Sequence, residues 1–430
     1  MLRSKSAKRI LKNSIILAAN SFVTKGILLV VFVFVARFFG PEDYGAYSTA
    51  LTYVAIMAIF SKLGFDMTVL REGARQTERI DFIQNKIFPL RLWTSLFAFV
   101  MAIVVAFVIG YDTQTLKLII ILSLLIISGG AVASGLLEHY STTFLVLEKM
   151  QYVALVNFFR IIIFSLCVLG LLFFDIVNVY LLAGCALFSS VAALFFQIYN
   201  AGKVYRQKIN LKIDWNFTKR IYKPVLFFGI IALLNIITMR VDIQMLNMMK
   251  GNEEVGVYSV AWQIVFVGIT LVQTFSVSLF PNSARNIFKA QFRSKLLKYL
   301  LGGSLLVSLG CMLGTYLSEP IITVAFGEAY AEASAILTVL IWFVPIRLIS
   351  LWGHQILEGF NLLVERIVIF GILAGFNILL NYLFIPQYGA YGAAVTSLVT
   401  QALLMLTVMF IAFWKSRTDE QVESYRYKII

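Results

Sequence analysis

Four cationic side chains, Lys25, Arg160, Arg240 and Arg347, stand in the middle of long apolar stretches. A charge at the centre of a membrane helix costs roughly 2.5–3.5 kcal/mol on insertion scales, so each requires a reason. Asp242 is the one acid expected well inside such a stretch, and it cannot neutralise four cations. Cations so placed face water or bind an anion, and Arg forks match phosphate oxygens through paired hydrogen bonds. Pairing of each with helix carbonyls and neighbours is the competing reading. Other chemistry is thinly supplied. Two histidines, His139 and His354, leave little for a metal site or a general base. Cys167, Cys185 and Cys311 lie in apolar runs, and an odd count makes no disulfide framework. They read as small core residues, and no metal or cofactor is expected.

Arg37 and Lys62 fall near helix ends, where long side chains snorkel to the interface, and Lys62 has Asp66 at i+4. Both are set aside as ligands. Asp242 lies about 200° around its helix from Arg240, on the face of Asn235. It reads as an H+ or Na+ coupling site or switch, or as a structural hydrogen-bond or ion-pair partner, with the structural role favoured. Pro345, two residues before Arg347, removes a backbone donor and disfavours a bond to the Ile341 carbonyl. The resulting kink serves packing or alternating access. Asn20, Asn157, Asn235, Gln263, Gln273, Asn377 and Asn381 read singly as packing amides and together as the lining of a hydrated cavity.

The elements that hold these residues follow from composition. The 430-residue chain is 60% hydrophobic and 13% charged, whereas soluble proteins run about 45–50% apolar and about 25% charged. That gap excludes a soluble enzyme, a nucleic-acid module and a disordered chain. Apolar runs predict twelve spans, near 13–39, 45–65, 87–110, 116–138, 152–174, 178–200, 222–248, 255–281, 298–318, 333–357, 367–385 and 389–414. The basic start Arg3, Lys5, Lys8, Arg9 and Lys12 precedes a run too long for a signal peptide, so it reads as a retained first helix.

Most Lys and Arg gather at the N-terminus, the even-numbered connections and the C-terminal tail. The odd-numbered connections carry only Lys117 and Lys250, beside acids such as Glu42, Asp43, Asp112, Asp175, Glu253 and Glu254. This asymmetry places both termini in the cytoplasm and accounts for most of the +14 net charge without nucleic acid. The segment Asn282–Lys298 mixes Ile287, Phe288, Phe292 and Leu296 with Arg285, Lys289, Arg293 and Lys295. It predicts an amphipathic helix on the anionic inner surface.

Two turns repeat. Gly40-Pro41-Glu42-Asp43-Tyr44-Gly45-Ala46-Tyr47-Ser48 follows the first span, and Gly251-Asn252-Glu253-Glu254-Val255-Gly256-Val257-Tyr258-Ser259 follows the seventh. Both read Gly-x-Glu-acid-x-Gly-x-Tyr-Ser at the same position in each half. The expected fold is an all-α polytopic membrane protein: about twelve transmembrane helices in two six-helix halves, a parallel repeat around a central cavity. The N-terminal lobe is expected over 1–200, a cytoplasmic basic linker over 201–223, the C-terminal lobe over 224–414 and a cytoplasmic tail over 415–430.

The stretch Arg37-Phe38-Phe39-Gly40-Pro41-Glu42-Asp43-Tyr44-Gly45-Ala46-Tyr47 resembles the first outer turn of the bacterial polysaccharide flippases. These belong to the multidrug/oligosaccharidyl-lipid/polysaccharide (MOP) exporter superfamily. Gly64-Phe65-Asp66, Arg71-Glu72-Gly73-Ala74-Arg75, Arg240-Val241-Asp242, Val255 to Ala261 and Ile385 to Ala394 are similar to that family in the same order. The resemblance implies movement of a lipid-linked oligosaccharide from the inner to the outer leaflet of the bacterial plasma membrane, without an enzymatic step. Its polyprenyl pyrophosphate would meet Lys25, Arg160, Arg240 and Arg347. A polysaccharide polymerase and assembly proteins would be partners. A peptidoglycan-precursor flippase and a multidrug exporter of the same superfamily are rivals, though an exporter of cations would hold carboxylates in its cavity. A membrane glycosyltransferase or polymerase would need an acidic or His-containing site on a sizeable loop.

Overall fold

The computed structural model describes residues 2–75, 80–130, 132, 134–204, 211–360 and 362–416, with the side chains of 2–18, 71, 74, 75 and 273–286 outside the description. In chain order the helices are α1 (Leu2–Lys62), α2 (Phe65–Arg75), α3 (Ile80–Ile109), α4 (Thr113–Ser128), α5 (Gly135–Val146), α6 (Met150–Phe173) and α7 (Val179–Val204). Then come α8 (Trp215–Lys250), α9 (Asn252–Asn286), α10 (Ala290–Tyr316), α11 (Ser318–Phe326), α12 (Ala333–Leu340), α13 (Phe343–Gly359) and α14 (Leu363–Lys415).

Nine helices among the described residues are long and apolar enough to cross a membrane. Two of them are double. α1 and α14 each contain one non-helical glycine, Gly40 (φ 78, ψ 173) and Gly389 (φ 53, ψ −136). The rings of Phe32 and Tyr44 lie 6.4 Å apart, whereas a straight helix would separate these residues by about 18 Å. Asn377 Nδ2 likewise donates to Thr400 Oγ1 at 3.0 Å across the second break. Each long helix is therefore a hairpin, and only glycine reaches these positive φ values without strain. Counting the arms separately and adding the shorter apolar α4 gives twelve spans. In α14 the chain turns at Gly389, three residues beyond the expected break at Pro386.

The chain divides into two compact units, Met1–Ile236 and Ile237–Ile430, and the division falls within α8. In the first, α1 packs against α3, α4 and α6, and α6 against α7. Of the expected linker 201–223, residues 215–223 form the first turns of α8. Ile221 and Val225 there join Phe65, Val69, Ile80, Ile83 and Ile87 in a buried cluster. In the second unit α13 packs against α14, α10 and α9.

Two expectations are corrected, and the kink expected at Pro345 is found. The fourth span, expected over 116–138, is broken: α4 stops at Ser128 and α5 starts at Gly135. Gly129 (φ 90), Gly130 (φ 87) and Gly135 (φ 70) take left-handed conformations that end the helix. The tenth span is broken between α12 and α13, where Pro345 cannot donate to Ile341 O. Val344 N donates to that carbonyl at 3.3 Å instead, and Cys311 Sγ approaches it at 3.4 Å. The amphipathic helix expected over 282–298 is not a separate element. The segment is the end of α9, the turn 287–289 and the start of α10. The side chains of 282–286 lie outside the described ones, and Arg293 is buried rather than facing a lipid surface. Its Nη1 donates to Ile287 O (3.0 Å) and Phe288 O (2.9 Å) just past α9. Basic side chains commonly close the last carbonyls of a helix in this way.

A buried ion pair fastens α2 to its neighbours. Arg91 on α3 is 0% exposed, and its Nη2 donates to Asp66 Oδ1 at 2.5 Å. Thr142 of α5 donates to the same oxygen at 3.0 Å. Lys62 stands 3.6 Å from Oδ2, the i,i+4 pair expected from the sequence. Burial raises the Asp66 carboxyl, but the charges of Arg91 and Lys62 and hydrogen bonds from Arg91 and Thr142 bring it below the ordinary carboxylate value. Asp66 is charged, and Arg91 holds it. Removing one partner of a buried pair costs about 3–5 kcal/mol, against about 0–1 kcal/mol for an exposed pair. Arg91→Leu should therefore lower the unfolding midpoint of the purified protein in detergent far more than Lys62→Ala. Equal losses would refute the anchoring role of Arg91.

Candidate functional site

Arg160, on α6, meets the broken span. A Cβ on Gly130 would stand 2.9 Å from Arg160 Cδ and 3.0 Å from Ser190 Oγ, so the missing side chain is what lets the arginine lie against this backbone. Irregular backbone at membrane depth is tolerated where protein buries it or where it lines a cavity. Tyr47 and Glu138 are within electrostatic reach of the guanidinium. Its Nε is buried with no hydrogen-bond partner. Tyr47 belongs to the repeated turn motif, and Glu138 stands in the first turn of α5. Sequence reasoning missed this acid, which fell on the last residue of an expected continuous span. The Gly129-Gly130 pair was the available signal.

Arg347, on α13, is part-buried, and its Nε and Nη1 are closed off without partners. Glu358 and Arg366 lie within its electrostatic reach. Arg240 is held differently. Its guanidinium carbon lies 5.6 Å from the Trp262 ring centre and 5.2 Å from that of Phe266. Stacking on aromatic faces of α9 compensates part of the cost of keeping a cation there. Lys25 is part-buried on the first arm of α1, and Arg37 on the same arm is exposed. Lys25 and Arg160 thus belong to the first unit, and Arg240 and Arg347 to the second.

Asp242 is 2% exposed. Its Oδ2 accepts from Tyr258 Oη of α9 and from Ser397 Oγ of α14, the latter at 2.9 Å. Its Oδ1 accepts from Ile243 N at 2.8 Å. Tyr258 is the tyrosine of the second repeated motif, so the motif that sets the turn also supplies the partner of the buried acid. Beside Ser397, Thr396 donates to Asn381 Oδ1, Asn381 donates to Asn377 Oδ1 (3.0 Å), and Asn377 to Thr400. These two amides are packing groups between the arms of α14. The side chain of Gln273, another expected polar lining group, lies outside the described ones. Among the described residues, no group of three or more His, Cys, Asp or Glu side chains is placed to hold a metal ion.

The outer turns are fastened by their acids. Asp43 accepts from Gln114 Nε2, and Glu254 Oε2 accepts from Ala390 N (2.9 Å), the residue after the Gly389 break. Asp112 caps α4 by accepting from Thr115 N at 2.9 Å.

Among the described residues, twelve apolar spans, two of them broken, with cations kept in apolar surroundings, define a multi-pass helical membrane protein. The profile of a protein family described as "Polysaccharide biosynthesis protein" matches residues 10–287, and the chain belongs to that family. It is 22% identical over 407 residues to the "Capsular polysaccharide biosynthesis protein CapF" of Staphylococcus aureus, covering 91% of this chain and 95% of the relative. It is 26% identical over 167 residues to the "Probable flippase AglR" of Haloferax volcanii, covering 38% of this chain and 35% of the relative. Among solved structures, the lipid II flippase MurJ in an inward closed conformation superposes with a TM-score of 0.73 at 15% identity, covering 94% of this chain and 90% of the other. An inward-facing multidrug resistance MATE family transporter of the MOP superfamily gives 0.70 at 14% identity, covering 98% and 99%. The fold is that of this superfamily.

The Asp242 cluster makes a stability prediction. Tyr258→Phe keeps the ring and leaves the buried carboxylate short of one donor, at a cost of about 1–3 kcal/mol. The unfolding midpoint in detergent should fall accordingly, and Ser259→Ala, beside it in the motif, should change it little. An unchanged midpoint for Tyr258→Phe would remove the cluster as an anchor of α8, α9 and α14.

Proposed function

We propose that the protein is a flippase that moves a polyprenyl-pyrophosphate-linked oligosaccharide, the repeat unit of an O-antigen, capsule or exopolysaccharide, from the inner to the outer leaflet of the plasma membrane. Two lobes, 1–200 and 224–414, work by alternating access; the linker 201–223, the tail 415–430 and both termini are cytoplasmic. The observation that carries the reading is the state of Arg160 and Arg347. Both hold a guanidinium Nε–H in an apolar span, buried and accepted by no group among the described residues, and Arg347 adds Nη1. An anion with several oxygens answers that arrangement. Lys25 and Arg240 complete the cationic lining. The family and the capsular relative support a saccharide cargo.

No covalent step is required, because the work is transfer of a charged head group past hydrocarbon. A polysaccharide polymerase and assembly proteins would receive the product. A multidrug exporter for cations is disfavoured, since Asp242 is closed off by three donors. A peptidoglycan precursor shares the diphosphate and differs in its sugars.

Reconstitution into vesicles with defined lipid-linked oligosaccharides, measuring outward exposure of the head group, tests the reading. Arg160→Gln and Arg347→Gln should each slow flipping about tenfold or more, the value of a lost charge-assisted bond. Arg37→Gln should leave it near wild type. Equal rates in all three at normal membrane levels would sink the cationic-cavity idea. Reporter fusions should read outside at Gly110, Gly251 and Gln387 and inside at Lys212; an inside signal at Gly251 would overturn the orientation.

Asp242 acts in this reading as a structural switch whose partners change between states. Asp242→Asn should therefore lower folded yield, binding and transport together. If it instead removed only the dependence on imposed H+ or Na+ gradients, Asp242 would be an ion carrier.

A further inference from the structure

Beyond the lining already described, the hairpin of α13 and α14 carries basic groups that the proposed mechanism leaves unused. Arg366 stands in the first turn of α14, and its Nη1 donates to Glu358 Oε1 at 2.9 Å. Its Nε is buried without a partner. His354, seven residues after Arg347 and so on the same face of α13, is 8% exposed, and its Nε2 has no partner. Arg347 follows, with Nε and Nη1 in the same condition. Both guanidiniums lie within electrostatic reach of the imidazole, and they also repel each other. Glu358 is the one acid acting on Arg347, and its oxygen is already engaged by Arg366.

Like charges gathered at buried sites, with N–H groups facing no acceptor, are costly unless an anion visits. The geometry runs in order along the hairpin: Arg366 beside the α13–α14 turn, His354 between, and Arg347 about 10 Å further along α13. We propose that Arg366, His354 and Arg347 form a stepped loading path for the phosphate groups of the lipid-linked substrate, with Glu358 as the counter-ion that the phosphate displaces from Arg366. This deepens the flippase reading and rests on it. On the proposed orientation, the path opens at the inner side. A diphosphate reaches Arg366 first, releases it from Glu358 and passes toward Arg347. Glu358 thus works as a competitor for the anion, and its loss strengthens binding.

The test titrates inorganic pyrophosphate into the purified full-length protein in detergent, followed by calorimetry. Wild type should bind. Arg366→Gln and Arg347→Gln should each weaken binding about tenfold, the size of one charge-assisted hydrogen bond. Arg366→Lys, which keeps charge and loses the fork, should fall between. Glu358→Gln should tighten binding several-fold, an effect that a merely structural salt bridge would not produce. Arg37→Gln should match wild type. Unfolding midpoints identify variants that are simply misfolded, and Glu358→Gln decides the matter if both Arg variants fail. Absence of pyrophosphate binding in wild type would overturn the path, as would affinity unmoved by Glu358→Gln and by the folded Arg variants. Vesicle flipping separates the two proposals. The predicted binding pattern without outward movement of lipid-linked oligosaccharide would keep the path and remove the flippase reading; intact flipping without the pattern would remove only the path.

Discussion

Inside hydrocarbon there is no water to accept from an N–H or donate to a carbonyl, and an unsatisfied polar group there costs several kcal/mol. The helices of this protein answer that constraint for most of their length, and the informative places are where they stop answering it. At Pro345 the carbonyl of Ile341 loses its i+4 donor, and Val344 N and Cys311 of α10 both close on it. At the end of α9, Arg293 turns inward to take the carbonyls of Ile287 and Phe288. Trp352 of α13 then donates to Arg293 O at 2.8 Å, tying the turn to a third helix. Each defect in a helix becomes an attachment between helices.

The same constraint sorts the charged side chains. Arg91 gives its Nη2 to Asp66, and Arg240 rests on two aromatic faces. Asp242 is surrounded by donors. Buried guanidinium N–H groups without an acceptor remain on Arg91, which keeps an acid beside it, and on Arg160, Arg347 and Arg366. Hydrophobic surroundings make such a group a strong ligand for an anion, because the competing hydration has already been removed. In the proposed function, that anion is the diphosphate of a lipid-linked saccharide.

Much of this was legible in the sequence, for identifiable reasons. A span announces itself by length, so twelve were countable even where one glycine joins two helices without a loop. The repeated Gly-x-Glu-acid-x-Gly-x-Tyr-Ser turn was visible as a pattern, and its acids do fasten helix starts at Gln114 and Ala390. What stayed hidden depends on partners far apart in the chain. Arg91 lies four residues into its expected span, and only the fold brings Asp66 and Thr142 to it. The break in the fourth span was masked because Gly129 and Gly130 interrupt an apolar run without lowering its polarity signal. The basic and apolar mixture of 282–298 mimicked a surface helix, since sequence cannot say that Arg293 folds back onto carbonyls.

The reversals at Gly40, Gly251 and Gly389 are one residue long. A joint with two rotatable angles, each set in a region that side-chain-bearing residues avoid, has almost no slack. Gln114 of α4 braces the first of these joints through Asp43, and Glu254 of α9 braces the one at Gly389. Each pair of arms is therefore joined with almost no freedom at its tip. Such a tip also offers no extended strand for a protease to seat in its cleft.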